Sequence, residues 1–190
     1  TNMAGMFTST GENAMTTLNL QNKFNTAIVT DMSNMFERTG FMAMTSLNVS
    51  GFNTTAVTDM SYMFANTGYT AMTSLDLGKN FDTNNVTNMQ MMFNWTGANA
   101  IISLDLGDKF YTSNMTNTWY MFFGTGYNSK SFYLDLGANF DTSNVTVMQC
   151  MFSNAGNKAT SFELKLGNKF KTDKVKIFYW MFNGTGRNAN

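Results

Sequence analysis

The chain has no histidine and no proline, and a single cysteine among its 190 residues. Without histidine, imidazole-based nucleophilic catalysis and the common histidine metal sites are excluded. The lone Cys150 forms no internal disulfide, and no Cys/His zinc spacing exists. Charge is scarce as well: 13% of residues are charged and the net charge is zero. The usual electrostatic drive toward nucleic acid is therefore missing, and no nucleic-acid partner is expected. No apolar run reaches the roughly 18 residues that a spanning helix needs, so no direct membrane span is expected. No signal-peptide pattern opens the chain. It starts at Thr1 rather than Met, which suggests a segment upstream. No Ser-His-Asp set, paired carboxylates or phosphate loop stands out. Gly-x-Gly at Gly124 and at Gly184 is not followed by Lys-Ser/Thr. The expectation is a protein with no catalytic residues, no cofactor and no metal.

What the chain does have is repetition. Asn and Thr are abundant, but 43% of the residues are apolar, among them 18 Met and 18 Phe, which argues against disorder. "NVTNMQMMFNWTG", starting at Asn85, recurs in variant form along the whole length. Units cover 1–29, 30–57, 58–86, 87–115, 116–145 and 146–175, with a half unit at 176–190. In each, Met-Phe occupies the sixth and seventh positions and Gly follows the Phe by four. Each full unit then carries Leu-x-Leu or Leu-x-Val, and a further Phe after it. The natural reading is one solenoid in which each unit touches only its neighbours, part of a longer array.

Within a unit, Val145, Met148, Met151 and Phe152 fall at i, i+3, i+6 and i+7, the spacing of one helix face. Thr142 or Ser143 is placed as its N-cap and Gly156 as its C-terminal stop. Phe132, Leu134 and Leu136 alternate with Tyr133 and Asp135, the strand period of two. The sequence thus predicts an α/β repeat solenoid of leucine-rich-repeat type, with one short parallel strand and one short helix per unit of about 29 residues. Phe36, Phe64, Phe93, Phe122 and Phe152 would form an internal ladder, and the Phe after each strand a second. All six strands would share one parallel sheet.

"FDTNNVTNMQMMF" and "FDTSNVTVMQCMF", each preceded by "LDLG", resemble the repeat of BspA-like leucine-rich-repeat surface proteins of bacteria. The resemblance implies a non-enzymatic protein of the cell surface or extracellular space, associated with adhesion or recognition. Thr118, Phe178 and Lys165 depart from the repeat, and the units run longer than the common family spacing.

Two faces stand out as candidate sites. Asp76, Asp105 and Asp135, with Tyr133 nearby, point away from the core on successive strands. They read as a ligand or calcium stripe, or as an ordinary solvated sheet face. Stacked at about 4.8 Å, such carboxylates repel unless solvated, protonated or bridged. Tyr62, Trp95, Trp119, Tyr120, Tyr179 and Trp180 read as an aromatic interface for protein or carbohydrate, or as rings partly covered by loops. Seven Asn-x-Ser/Thr sites read mainly as capping chemistry rather than glycosylation. Neither end of the array looks like a cap, so head-to-tail assembly into an extracellular filament is the alternative function.

Overall fold

The computed structural model describes residues 1–20 and 24–189. Its six strands are β1 (Thr17–Asn19), β2 (Ser46–Asn48), β3 (Ser74–Asp76), β4 (Ser103–Asp105), β5 (Ser131–Asp135) and β6 (Ser161–Lys165). Each neighbouring pair that forms a ladder is parallel and in register, Leu on Leu: Leu18, Leu47 and Leu75 in the first three, Leu104, Leu134 and Leu164 in the last three. A second line of parallel bridges joins the opposite side of the coils, Asn2 to Asp31 to Asp59 to Asn88, then Asn117 to Val147 to Ile177. The chain is a parallel β-solenoid in which one repeat makes one coil; we number the coils as the units.

The expected helix does not form, and among the described residues there is no helix. Its place is taken by overlapping turns, because backbone amides in this stretch alternate between two partners. In coil 3 the amides of Met63, Ala65 and Thr67 donate three residues back, to the carbonyls of Met60, Tyr62 and Phe64. The amides between them leave the coil: Tyr62 donates to Gln90, Phe64 to Met92 and Asn66 to Asn94, at 2.7–2.9 Å. A helix would direct every amide four residues back. Here φ is positive at Tyr62 (58°) and Asn66 (57°), the third residues of two turns, as type II geometry requires. The same two positions recur as Asn34 and Arg38, Met91 and Trp95, and Cys150 and Asn154. Overlapping turns still bring Met60, Met63 and Phe64 to one side, so their apolar spacing imitates that of a helix face.

The expected caps are reassigned with the helix. Thr142 is buried; its hydroxyl donates to the Lys171 carbonyl at 2.7 Å and accepts from the Lys171 amide at 2.6 Å. It clamps one coil to the next instead of closing a helix turn. The recurrent Gly does adopt the left-handed region, at φ 56° for Gly156, but as part of the turn ribbon. Space demands Gly there too: a Cβ at Gly68 would lie 2.4 Å from Cβ of Met72.

The core is the stack of phenylalanines. Phe7, Phe36, Phe64, Phe93, Phe122, Phe152 and Phe182 run as near-parallel rings with centroids 5.4–5.6 Å apart. The rings after the strands lean against this column, Phe81 on Phe64 at 6.3 Å and Phe110 on Phe93 at 6.2 Å, both tilted. Buried threonines fasten the same column: Thr67, Thr96 and Thr125 each donate to the carbonyl of the column Phe one coil back, Phe36, Phe64 and Phe93, at 2.6–2.7 Å. Thr96→Val should therefore lower stability by about 1 kcal/mol, the net worth of one such bond. Denaturant titration checks this; no loss would mean that the hydroxyl contributes nothing to stacking.

The strands make two sheets, not one: β1-β2-β3 and β4-β5-β6. Between β3 and β4 the Ile102 amide reaches the Thr73 carbonyl only at 3.4 Å, against 2.9 Å for Thr73 on Thr45 one coil earlier. Like charge does not explain this break, because Asp105 stands directly opposite Asp135 inside the second sheet. Asp76 accepts from the Asn48 amide group at 2.9 Å, on the side away from β4.

Candidate functional site

The aspartate stripe lies on the exposed sheet face, where the coils part. Asp105 and Asp135 are register partners, yet neither needs a cation between them. Asp105 accepts from the Gly107 amide at 2.9 Å and Asp135 from the Gly137 amide at 2.8 Å. Asp135 also accepts from the Tyr133 hydroxyl at 2.9 Å, and Lys165 donates to that same hydroxyl at 3.0 Å. The Gly137 amide, then the Tyr133 hydroxyl and the Lys165 charge, hold the Asp135 carboxyl below the usual carboxylate range. Two shallow grooves result. One of about 340 Å³ runs between Asp76, Lys79, Asp105 and Asp108; the other, of about 420 Å³, runs between Asp105, Asp108, Tyr133 and Asp135. Among the described residues, no three or more His, Cys, Asp or Glu side chains gather into one cluster suited to a metal ion.

The aromatic candidates are distributed differently from a single stripe. Trp95 is the hub of a row on the turn edge. Its ring meets Tyr69 at 5.8 Å, Phe123 at 5.5 Å and Tyr127 at 5.1 Å. Tyr69 stacks on Phe41 at 4.8 Å, with Arg38 over the Phe41 ring, and Lys158 lies over Tyr127. Tyr120 joins through Phe123 at 4.9 Å, and Trp119 through Tyr120. The aromatic rings therefore cross four successive coils, with Lys158 extending the row into a fifth, and all of the rings are half-buried. Tyr62 sits half-buried at its left-handed position in coil 3. Tyr179 and Trp180 form their own stacked pair, 58% and 57% exposed, on the last half coil. Cys150, in the same column as Tyr62, is buried; its thiol hydrogen bond pushes the Tyr120 phenol up.

Phe41, Tyr69, Phe123 and Tyr127 are the members that reasoning from sequence missed. A signal existed: Phe41, Tyr69 and Tyr127 each directly follow the recurrent Gly. In coil 4 that position is Ala98, and Trp95 fills the space from three residues earlier. The indole fits because Gly124 lies beneath it; a Cβ there would come within 2.5 Å of the ring. Gly124→Asn separates conformation from space, since Asn tolerates the φ of 68°. It should leave the fold intact and displace Trp95, read as a shift in tryptophan emission that Trp95→Phe abolishes. An unchanged spectrum would mean that the ring does not rest on Gly124.

Three of the seven Asn-x-Ser/Thr asparagines bond across coils. The side-chain amides of Asn85, Asn114 and Asn144 donate to the carbonyls of Thr55, Asn84 and Ser113, one coil back. They cap coils rather than helices.

Fold and surface together define a β-solenoid repeat protein whose exposed faces carry an acidic groove pair and an aromatic row. The chain belongs to the family described as Mycoplasma protein of unknown function, DUF285, whose model matches residues 1–129 and 99–190. No curated protein and no solved structure matches it significantly.

Proposed function

We propose that this chain is a non-enzymatic recognition scaffold of the bacterial cell surface or extracellular space, and that the turn-edge aromatic row makes the contact. The observation that carries this reading is the row itself. Half-buried Trp and Tyr on a rigid backbone present large contact area at little entropic cost, the character of binding hot spots. The likeness of the repeats to those of BspA-like surface proteins supports it, although the helix of that repeat type is replaced here by turns. The grooves on the sheet face are shallow, and no histidine is available for acid–base work, which favours binding over catalysis.

The experiment is a binding screen of the chain against immobilised neutral and acidic oligosaccharides and purified extracellular proteins. Trp95→Ala should weaken the retained interaction about 30-fold, as loss of a hot spot of about 2 kcal/mol does. Equal binding by native and variant chains, or no binding to either panel, would overturn the assignment.

A further inference from the structure

The zero net charge conceals a strong separation. Residues 158–190 hold seven of the twelve cations, against only Glu163 and Asp173, for a net charge of +5. The preceding 157 residues hold five cations against ten anions, net −5. Because neighbouring coils follow one another in chain order, separation along the sequence is separation along the solenoid axis. By sequence coil 1 is neutral, coils 2–5 are acidic, and coil 6 with the half coil is basic.

The lysines of coil 6 stay exposed although they already face anions of coil 5: Lys165 acts on Asp135, and Lys169 and Lys171, after the Ser143 amide and hydroxyl, help hold the Asp141 carboxyl below the usual carboxylate range. Lys165, Lys169, Lys171, Lys174 and Lys176 are all exposed. Lys174 donates to the Asn144 side-chain carbonyl at 2.8 Å and Lys169 to that of Asn139 at 3.5 Å, both neutral groups. Lys165 has Glu163 at 3.5 Å, an exposed pair of little strength. Lys171 stands where coils 3 and 5 carry Asp82 and Asp141, so the column changes sign at this coil.

We propose that this lysine face is an interaction surface whose partner is the acidic body of a second copy of the chain. The two charges are equal and opposite, which is the complementarity that steers and orients association. With no net charge, copies do not repel one another at long range.

Sedimentation of the 190-residue chain at low and high ionic strength tests the proposal. Self-association is expected at 20 mM salt as an order of magnitude and should weaken at least about tenfold near 0.5 M, where screening is strong. The triple variant Lys169→Glu/Lys171→Glu/Lys174→Glu should remain monomeric at low salt, while Asp105→Asn/Asp108→Asn should weaken association without altering the lysine face. A monomer at every salt concentration, association insensitive to salt, or a triple variant that associates as well as the native chain would overturn it. So would binding to anionic lipid vesicles by chains that do not bind each other.

Discussion

Phe93→Ala is expected to lower stability by about 3–5 kcal/mol, the range for large-to-small changes in a packed core. Phe93 is fully buried at the middle of the phenylalanine column, between Phe64 at 5.6 Å and Phe122 at 5.4 Å, with Phe110 leaning on its side. Its carbonyl accepts from the Thr125 hydroxyl, so a shift in coil 4 also disturbs coil 5. A cavity at this position separates two halves that otherwise support each other, since repeat arrays derive stability from each unit and its neighbour interfaces. The sheet break between β3 and β4 adds to the effect, because the ladder that would bypass the cavity is already missing there. Denaturant titration measures the loss. A value below about 1 kcal/mol would place Phe93 outside the core.

Gly68→Ala should cost at least about 2 kcal/mol, combining the left-handed penalty for an L-residue with overpacking. The position has φ of 52°, and a Cβ would meet Met72 at 2.4 Å on its Cβ, where a rotamer change gives no relief. Asn66→Gly is the control. Asn66 also has positive φ, at 57°, but it stands where a type II turn accepts either residue. That change should stay within about 1 kcal/mol of neutral. A loss at Gly68 as small as the one at Asn66, under about 1 kcal/mol, would mean that neither conformation nor space demands glycine there.

The repeat register, the strands and the inward-facing phenylalanines were legible because they rest on simple rules. Leu-x-Leu alternation marks strand residues such as Leu104 and Leu134, and a side chain repeated once per unit stacks on its own copy. The helix was misread for a physical reason. Met148, Met151 and Phe152 satisfy helix spacing, but so does a ribbon of overlapping turns, and periodicity cannot distinguish the two. The distinguishing information lies in backbone sign. Gly5, Asn34, Asn66, Gly124, Asn154 and Gly184 occupy the third positions of turns, where left-handed geometry favours Gly and Asn. Gly in the middle of a supposed helix, as at Gly5, was a warning from propensity. It was obscured by Tyr62, Met91, Trp95 and Trp180 at the same columns, which adopt positive φ despite its cost because the inter-coil bonds require it.

The candidate sites were legible to different depths. The outward Asp column could be read from strand alternation, but its resolution by the amides of Gly107 and Gly137 could not, since it depends on the loop after each strand. Trp95 was visible as an exposed aromatic. Its partners were not, because Tyr69 and Tyr127 reach it from neighbouring coils across a register that only the turn geometry sets.

The Met-Phe segment is a turn ribbon bonded to the next coil. Scalar coupling across hydrogen bonds, measured by NMR on labelled protein, tests it at one atom pair. The Phe64 amide should couple to the Met92 carbonyl, its partner at 2.9 Å in the next coil. Coupling from that amide to the Met60 carbonyl, four residues back in its own coil, would establish the helix and contradict the solenoid described here.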